Sequence, residues 1–387
     1  MMKKIAKLSL LTSLSLCAFS VNSFAENTLQ EAFSNGKIKG EVKSYYFAQS
    51  FDGTKEDSSI WVNGGNLSYI TDEFYGFKFA STFQTSHVAS IDDKDGVTKK
   101  TMDASGSVLS QAYIDYKIKN TNFKLGRQYI KLPLINGSGS RMIKESFEAY
   151  FVTNKDIPNT LVSLGKVTKF QGRTDQEGNV GKFEDIGEKG LYSLYVENKS
   201  IKNLKLRAHY TNTKDEVSAL YIDAKYKFDS KYKPYLAVQY YDTNYDSSSK
   251  KDNSLYGVKS GVSISNFGLF AGYTKAGGNE GDDKVYKGIG SKVASFTSAG
   301  KTSSPAYEAG TKTWQLGLTH KLGNLKSKLR YSQFDNPAKN KDLNQTNLNL
   351  VYKFSKNLRA HFDFSILDYE DNTKDATDLR TKLIYSF

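Results

Sequence analysis

The chain has 387 residues, of which 38% are hydrophobic, and its mean hydropathy of −0.54 is that of a polar protein. After the N-terminal leader, no segment approaches the roughly 18 apolar residues that a spanning helix needs, which excludes a helical membrane protein. The net charge of +13 would suit a nucleic-acid-binding protein. The basic residues are scattered along the chain, however, and an exported protein rarely meets nucleic acid, so we expect no nucleic-acid partner.

The N-terminus is typical of a secreted protein. Three lysines precede an apolar run, and Ser23 and Ala25 stand at the spacing that a signal peptidase reads, which predicts a signal peptide over residues 1–25. A lipoprotein anchor at Cys17, the only cysteine, is the alternative, and the bulky Leu16 disfavours it. Cleavage after Ala25 removes three lysines and leaves 51 basic against 41 acidic residues, a net charge of +10.

Beyond a short N-terminal segment over 26–36, the chain reads as a series of strands over 37–387. Tyrosine and phenylalanine, which favour strands and form interfacial girdles in barrels, number 26 and 23, whereas proline numbers 5. Alternation of apolar and polar residues predicts eighteen strands. They cover 37–49, 61–71, 77–86, 109–118, 122–129, 146–153, 160–169, 190–198, 203–211, 217–228, 233–242, 254–265, 267–274, 312–321, 324–334, 343–354, 357–368 and 377–387.

The connections between these predicted strands alternate in length. Even-numbered strands are followed by short turns such as 119–121 and 355–356. Odd-numbered strands are mostly followed by long links: 87–108, 130–145, 170–189 and 275–311. Bacterial outer-membrane barrels have short periplasmic turns and long external loops. The pattern therefore predicts an all-β, transmembrane antiparallel β-barrel in the outer membrane, with both chain ends in the periplasm.

The chain ends on an alternating strand. Its apolar residues, Phe387 among them, mostly share one parity, and Arg380 and Lys382 share the other. We expect this strand to close the barrel against the first strand, so that Arg380 and Lys382 face Lys39 and Lys43 across the seam. We also expect a final strand ending in Phe387 to be recognised by the barrel-assembly machinery during insertion.

Several strands divide into an apolar and a charged face; Leu329 and Tyr331, for example, alternate with Lys328 and Arg330. The apolar face must contact lipid, and eighteen strands enclose an aqueous channel for the charged face. In a soluble sandwich the charged face would simply be the outside. In a barrel the charges either attract anions or merely keep the channel wet. The predicted pore-lining residues are Lys39, Lys43, Lys205, Arg207, Lys225, Lys326, Lys328, Arg330, Arg359, Arg380 and Lys382.

One stretch resembles a known family. Residues 123–150 contain Leu-Gly-Arg-Gln at a strand end, a loop with Pro-Leu and small residues, an Arg-Met pair and then Ser-Phe-Glu, and this order resembles OprD-family porins. Residues 29–47, with Leu-Gln-Glu-Ala-Phe followed by Gly-Lys and Tyr-Tyr-Phe, resemble the same family. The chain is similar in these stretches to porins of the Campylobacter and Arcobacter group.

The resemblance implies an 18-stranded channel, either substrate-preferring or for general diffusion, whose third external loop folds inward and narrows the bore. In this chain that loop is 130–145, and Arg141, Lys144 and Glu145 become the constriction candidates. Porins of the family also carry a ladder of inward basic residues that guides carboxylates, which the basic rows resemble in kind. Such porins occur as monomers and as homotrimers, and both assemblies remain open here.

Catalytic and metal-binding motifs are not found. The four histidines lack metal-site spacing. His209 and His361 face inward and each has serines nearby, but chance supplies such Ser–His pairs in a serine-rich chain. Acidic clusters at 92–95 and 280–283 would suit Ca²⁺ or cations that bridge lipopolysaccharide. The alternative is that they are solvated loop charges. Arg127 lies either at the membrane interface or after a bulge. We expect no enzyme, cofactor or metal.

The sequence thus predicts an outer-membrane porin for passive diffusion of small hydrophilic solutes and ions, through a largely basic pore narrowed by an inward loop. The expected partners are outer-membrane lipid, lipopolysaccharide and the solutes themselves. Two alternatives stay open: a substrate-specific channel for carboxylates or amino acids, and a surface adhesin or structural barrel plugged by its loops.

Overall fold

The computed structural model describes residues 28–94, 98, 102, 104–175, 177–339 and 341–387. The predicted signal peptide and Asp95 of the first acidic cluster lie outside these residues. In the described part of the chain, no helix has the length and apolar character required to cross a membrane.

The described residues form twenty-one strands, eighteen of which make one closed antiparallel sheet. The barrel strands are β1 (Lys37–Phe51), β2 (Ser58–Ile70), β3 (Phe77–Asp92), β4 (Gly106–Ile118), β5 (Thr121–Gln128), β8 (Ser146–Asn154), β9 (Thr160–Gln171), β11 (Leu191–Asn198), β12 (Leu204–Thr213), β13 (Val217–Lys227), β14 (Tyr235–Tyr245), β15 (Asn253–Ile264), β16 (Phe267–Ala276), β17 (Lys312–Leu322), β18 (Leu325–Asp335), β19 (Leu343–Lys353), β20 (Leu358–Tyr369) and β21 (Ala376–Ser386). The short β6 (Lys131–Leu132) and β7 (Ile135–Asn136) pair with each other, and β10 (Phe183–Asp185) pairs with the end of β9. The predicted eighteen-stranded barrel is confirmed.

Each of the eighteen barrel strands pairs with the barrel strands before and after it, and β1 pairs with β21 to close the sheet. The seam runs from Glu41 opposite Ser386 to Phe51 opposite Ala376. Beyond it, the amide nitrogens of Gly40 and Phe387 each donate to the other residue's carbonyl oxygen at 3.1 Å. A closed sheet leaves no strand edge whose backbone groups would be unsatisfied in lipid.

The register of the seam differs from the expectation. Lys382 lies opposite Tyr45 and Arg380 opposite Phe47, whereas Lys43 lies opposite Ile384. The parity of each strand predicts which face a residue occupies, but it does not fix the shear between the first and last strands. The basic residues of the last strand therefore face aromatic rings across the seam, not lysines.

Short and long connections separate to opposite ends of the barrel, as predicted. The end that holds both chain termini has turns of two to seven residues, among them the two-residue turns 119–120, 265–266 and 323–324. The first residue of each of these three turns has φ near +50°, the left-handed conformation that tight hairpins require. The opposite end carries the long links, with 129–145, 172–190 and 277–311 the longest that are fully or almost fully described.

The outer surface of the barrel is apolar and carries two belts of aromatic side chains, as membrane barrels do. One belt lies near the chain termini and includes Phe77, Tyr116, Phe123, Tyr226, Phe228, Phe267, Tyr352, Phe354, Tyr385 and Phe387. The other lies toward the opposite end and includes Tyr46, Trp61, Tyr192, Tyr210, Tyr240, Tyr256, Trp314 and Tyr331. The charged parity faces the interior, where β12 brings Arg207 against Asp223 of β13.

A single short helix, α1 (Leu29–Ser34), precedes β1 in the described residues. Thr28 caps it, accepting a hydrogen bond from the amide nitrogen of Glu31 at 3.1 Å, while Glu31 accepts one from the amide nitrogen of Thr28 at 2.6 Å. Phe33 stacks on Tyr69 of β2 with ring centroids 6.3 Å apart. The helix is thereby held at the rim of the barrel that carries the chain termini.

Candidate functional site: the lumen and its inward loops

The 129–145 loop turns into the barrel after β5. Gln84 of β3 holds it from one side, because its amide nitrogen donates to the carbonyl oxygen of Lys144 and its amide oxygen accepts from the Lys144 backbone nitrogen, each at 2.9 Å. From β21, the Lys382 ammonium donates to the carbonyl oxygen of Ser140 at 2.6 Å. These contacts with inward side chains of β3 and β21 place the loop inside the barrel.

Arg141 and Lys144 reach a cavity in this lumen. The Lys144 ammonium lies 3.5 Å from the ring centroid of Tyr129, and burial, with Lys131 and Lys43 nearby, lowers the pKa of Lys144 to about 8. Burial, with the positive charges of Arg173 and Arg380 nearby, lowers the pKa of Arg141 to about 9. Glu145, the third constriction candidate, is 2% exposed and does not line the cavity.

A second loop, 277–311, also lies inside the barrel, a position that the sequence did not predict. The backbone nitrogen of Phe296 donates to the side-chain oxygen of Gln239 at 3.0 Å, and the Lys259 ammonium donates to the Phe296 carbonyl at 2.8 Å. On the far side, the Lys301 ammonium forms an ion pair with Asp378 of β21. The loop therefore spans from β14 and β15 to the last strand.

Neutral amides on the inner faces of the strands gave a signal that could have revealed this loop. Gln315 and Gln345 are buried, and they bond the backbone of the 277–311 loop at Ser298 and Thr302. Asn347 accepts a hydrogen bond from the Gly300 nitrogen at 2.8 Å. An open pore wall has no need of buried amides, because water satisfies its polar groups; amides that can pair with backbone indicate a chain segment that covers them.

Between the inward loops and the barrel end that carries the chain termini lies a cavity of about 590 Å³. Its lining includes seven cationic and two acidic side chains, so its walls are predominantly positive. The charged side chains are Lys43, Lys131, Arg141, Lys144, Lys292, Arg359, Lys382, Glu41 and Asp363. Tyr45, Tyr129, His361 and the amides Asn66, Gln84 and Asn349 contribute neutral polar groups.

Of the eleven predicted pore-lining residues, Lys43, Arg359 and Lys382 line this cavity. The others lie elsewhere along the inner face or at its rim: Lys39, Lys205, Arg207, Lys225, Lys326, Lys328, Arg330 and Arg380. Lys39 and Lys326 are exposed near the strand ends at the chain-terminal rim. Arg330 donates to the Ser298 carbonyl at 2.9 Å and so supports the 277–311 loop.

Many inward basic groups have acidic or aromatic partners. Glu41 lies 3.1 Å from the Lys43 ammonium and 2.5 Å from the Arg359 guanidinium. Lys205 pairs with Glu197 at 2.6 Å, and Arg207 binds Asp223 through two nitrogens. Others lie over aromatic rings: Lys225 over Tyr235 at 3.9 Å, Lys328 over Phe270 at 5.2 Å and Arg380, which also pairs with Asp378 at 2.7 Å, over Phe47 at 5.3 Å. Positive charge on the strands is thus partly neutralised, which the residue count alone does not reveal.

His209 does pair with a serine on the neighbouring strand, but the pair is not a catalytic one. Its Nδ1 accepts a hydrogen bond from the backbone nitrogen of Leu134 at 2.9 Å, which leaves the proton on Nε2, and Nε2 lies 2.9 Å from the hydroxyl of Ser193. An imidazole that donates to the serine cannot remove its proton. His209 is also fully buried, so it anchors the 129–145 loop.

The second acidic cluster is engaged in contacts within the protein. Lys251 pairs with Asp282 at 2.7 Å, and its backbone nitrogen donates to Asp283 at 3.0 Å. Among the described residues no group of three potential metal ligands converges.

Arg127 lies on the outer side of the barrel, at the rim opposite the chain termini. It shares the parity of the exposed Leu125, its guanidinium lies 4.3 Å from the ring centroid of Phe183, and it pairs with Glu148 at 3.8 Å. The strand-end position explains its parity without a bulge in β5, since an arginine is tolerated at the membrane interface.

The comparisons with known proteins agree with this geometry. The family described as "outer membrane porin, OprD family" matches residues 74–325, more than half of the chain. The chain belongs to the OprD family of outer-membrane porins. No curated protein matches it in sequence.

Solved structures share the whole fold of this porin. OccK9 (OpdG) of Pseudomonas aeruginosa is 17% identical with a TM-score of 0.80, and the match covers 92% of this chain and 99% of that one. OccAB2 of Acinetobacter baumannii is also 17% identical, with a TM-score of 0.76 and the same coverage. OpdK of P. aeruginosa, whose structure was solved with vanillate, is 14% identical with a TM-score of 0.74, again over 92% and 99% of the chains.

Membership of this family establishes the general function. The porin is a channel of the bacterial outer membrane and not an enzyme, and it works in a lipid and lipopolysaccharide environment through which small solutes pass.

Proposed function

We propose that this porin lets small hydrophilic solutes and ions diffuse passively through a predominantly basic pore, narrowed by the 129–145 and 277–311 loops, and that it favours anions. The observation that carries the proposal is the cavity of about 590 Å³, with seven cations and two acids on its walls. A positive surface around a narrow aqueous path, enclosed by protein and lipid of low dielectric constant, raises the local concentration of anions.

The distribution of charge supports the loops as the source of this preference. On the strand side of the cavity, Glu41 is paired with Lys43 and Arg359, and Asp363 lies 4.0 Å from the Lys382 ammonium. These pairs compensate much of one another's field at a distance. The cationic side chains of the two loops, Lys131, Arg141, Lys144 and Lys292, then account for most of the excess positive charge.

A channel that prefers carboxylates is the finer form of this proposal. A basic constriction followed by paired charges and neutral polar groups offers a carboxylate several successive partners, while amide and hydroxyl groups accommodate the rest of the solute. The structure of OpdK with vanillate, an aromatic carboxylate, adds support by analogy of fold. A barrel that is plugged by its loops and serves as an adhesin remains the competing hypothesis.

The setting in the membrane is part of the proposal. We infer that residues 1–25 are removed on export, that α1 and both chain ends face the periplasm, and that the long links face outward. The strand that ends in Phe387 would be recognised by the barrel-assembly machinery. Assembly as a homotrimer would bury part of the apolar outer surface and can be tested by native mass spectrometry in detergent.

Planar-bilayer recording tests the function. The purified porin should give stepwise currents, and its reversal potential in a KCl gradient should have the sign of an anion-preferring pore. Lys131→Gln combined with Lys292→Gln should move the reversal potential toward zero. Lys202→Gln, at an exposed position in a turn, removes a charge away from the cavity and should leave it unchanged.

The outcomes separate the hypotheses. No stepwise current from folded protein would refute the pore and favour the plugged barrel. A cation-preferring reversal potential would refute the basic-pore argument, although the channel itself would stand. Addition of sodium benzoate to one side should lower the chloride current of a carboxylate-preferring channel, and an unchanged current would contradict that finer proposal.

A further inference from the structure

The carboxylate of Glu145 joins three external loops. One of its oxygens accepts hydrogen bonds from the backbone nitrogens of Ser138 and Ser291, each at 2.8 Å. The other accepts from the Arg173 guanidinium at 2.9 Å and from the Ser291 hydroxyl. Ser138, Arg173 and Ser291 belong to the 129–145, 172–190 and 277–311 loops, so a single buried side chain connects all three.

Backbone contacts reinforce this junction. The amide nitrogen of Ile289 donates to the carbonyl oxygen of Leu134 at 2.9 Å, and the Ile289 carbonyl accepts from the nitrogen of Asn136 at 3.0 Å. The nitrogen of Lys292 also donates to the Asn136 carbonyl, at 3.2 Å. The two inward loops therefore run side by side as a short parallel bridge that links one to the other.

Two glycines permit this close approach. Gly288 and Gly290 have φ values of +90° and +87°, a region that residues with a side chain rarely adopt. A Cβ at Gly288 would lie 2.2 Å from the carbonyl oxygen of Leu134, and one at Gly290 would lie 2.3 Å from that of Asn136. Both obstacles are backbone atoms, so a substitution at either glycine must separate the loops.

Apolar packing adds to the junction on each side of the bridge. The side chain of Leu134 is fully buried in a cluster with Val285 and Tyr307 of the 277–311 loop. Ile135 is fully buried in a second cluster, which Ile289 packs against. Burying a leucine or isoleucine side chain contributes about 1.5–3 kcal/mol, so the loop pair has its own small core inside the lumen.

We propose that Glu145 is a positioning residue that sets the bore of the channel: its carboxylate latches the 129–145 loop to the 277–311 loop and holds both across the lumen. The proposal rests on the proposed pore function. Glu145 is 2% exposed and does not line the cavity, so it acts on solutes only through the loops that it joins.

Removal of the carboxylate leaves buried donors without a partner. The guanidinium of Arg173 and the nitrogens of Ser138 and Ser291 would lose their common acceptor, and unsatisfied buried groups favour an arrangement in which water reaches them. The loops would then part at the junction, while strand pairing in the barrel is untouched because no barrel strand contributes to the latch.

Single-channel recording tests the latch. The native porin should show one dominant open level, whereas Glu145→Gln and Glu145→Ala should show a higher mean conductance with several interconverting levels. Gly290→Ala, which disrupts the bridge from the 277–311 loop, should likewise raise the mean conductance and give several levels. Glu148→Gln is the matched control, since Glu148 pairs with Arg127 on the outer side and lies outside the junction.

A covalent replacement gives a rescue. In the native porin the backbone nitrogens of Ser138 and Ser291 both lie 2.8 Å from the same oxygen of Glu145, so the two residues are close together. A triple variant with Ser138→Cys, Ser291→Cys and Glu145→Ala therefore brings two thiols near each other in place of the carboxylate. Oxidation should return the channel to a single level of native size, and reduction should abolish the effect. If Glu145→Ala fails to fold, Glu145→Gln and Gly290→Ala carry the test.

Folded Glu145→Gln and Gly290→Ala porins with the native conductance distribution would overturn the latch and leave the pore function intact. Absence of any stepwise current from the native porin would instead refute the proposed function. A conductance change of equal size in Glu148→Gln would also overturn the latch, because the effect would then follow the loss of any carboxylate near the rim.

Discussion

The assignment of faces on β18 can be tested by a pair of adjacent substitutions. Leu329 is 45% exposed on the outer surface and lies opposite Leu318 and Leu348 on the two neighbouring strands, near the middle of β18. In the membrane it contacts acyl chains. Leu329→Arg would place a charge near the bilayer midplane, which costs roughly 2–4 kcal/mol of barrel stability.

Arg330→Leu is the paired change on the inner face. It removes the hydrogen bond from Arg330 to the Ser298 carbonyl. The carbonyl can then be reached by water in the channel, so the expected loss is about 1 kcal/mol. The outer substitution should therefore destabilise the barrel more than the inner one, although the inner one removes the charged residue.

Reversible unfolding in guanidinium, with the porin inserted in phospholipid vesicles, measures both free energies. Trp61 and Trp314 are the two tryptophans of the chain, and both are exposed on the outer surface, so their fluorescence reports contact with lipid. A larger free-energy loss for Arg330→Leu than for Leu329→Arg would refute the assignment of faces and with it the position of the basic residues in the lumen.

Three further predictions concern charge, insertion and the strand scaffold. Because burial and the neighbouring lysines lower the pKa of Lys144 to about 8, the proposed constriction loses positive charge as the pH rises through that value; the anion preference measured by reversal potential should fall between pH 7 and pH 9 and return on acidification. Deletion of Phe387 removes the backbone contact that ends the seam and should reduce assembly into heat-modifiable barrels in cells, whereas Phe387→Tyr should assemble normally. Asp223→Asn should lower the free energy of unfolding by roughly 1–3 kcal/mol, because Asp223 is 4% exposed and Arg207 loses its charged partner; an unchanged unfolding midpoint would contradict this.

The strands were predictable because their signal is local. Within the membrane one face meets lipid and the other meets water, so each strand carries a period of two in its own sequence. The alternation of apolar and polar residues is weaker where both faces of a strand contact water. The predicted third strand ends at residue 86, but β3 continues to Asp92 and pairs with β2 as far as Ser59.

The interior of the barrel was less predictable because its structure depends on distant residues. The resemblance to the family indicated that the loop over 130–145 folds inward, and Arg141 and Lys144 do reach the cavity. Glu145 carries the same charge signal in the sequence as a solvated acid, yet it is buried among donors from three loops. Only the folded arrangement distinguishes the two, because its partners lie 28 and 146 residues away along the chain.

The junction at Glu145 links the width of the pore to its charge. Lys131 and Lys292 contribute to the positive wall, and each belongs to one of the two loops that the junction joins. The Lys292 nitrogen itself bonds the Asn136 carbonyl within the bridge. If the loops separate, the bore widens and these lysines move apart at the same time, so the potential in the channel falls through both geometry and dielectric screening. A variant that opens the latch should therefore gain conductance and lose anion preference together, whereas neutralising the lysines should change preference with little change in conductance.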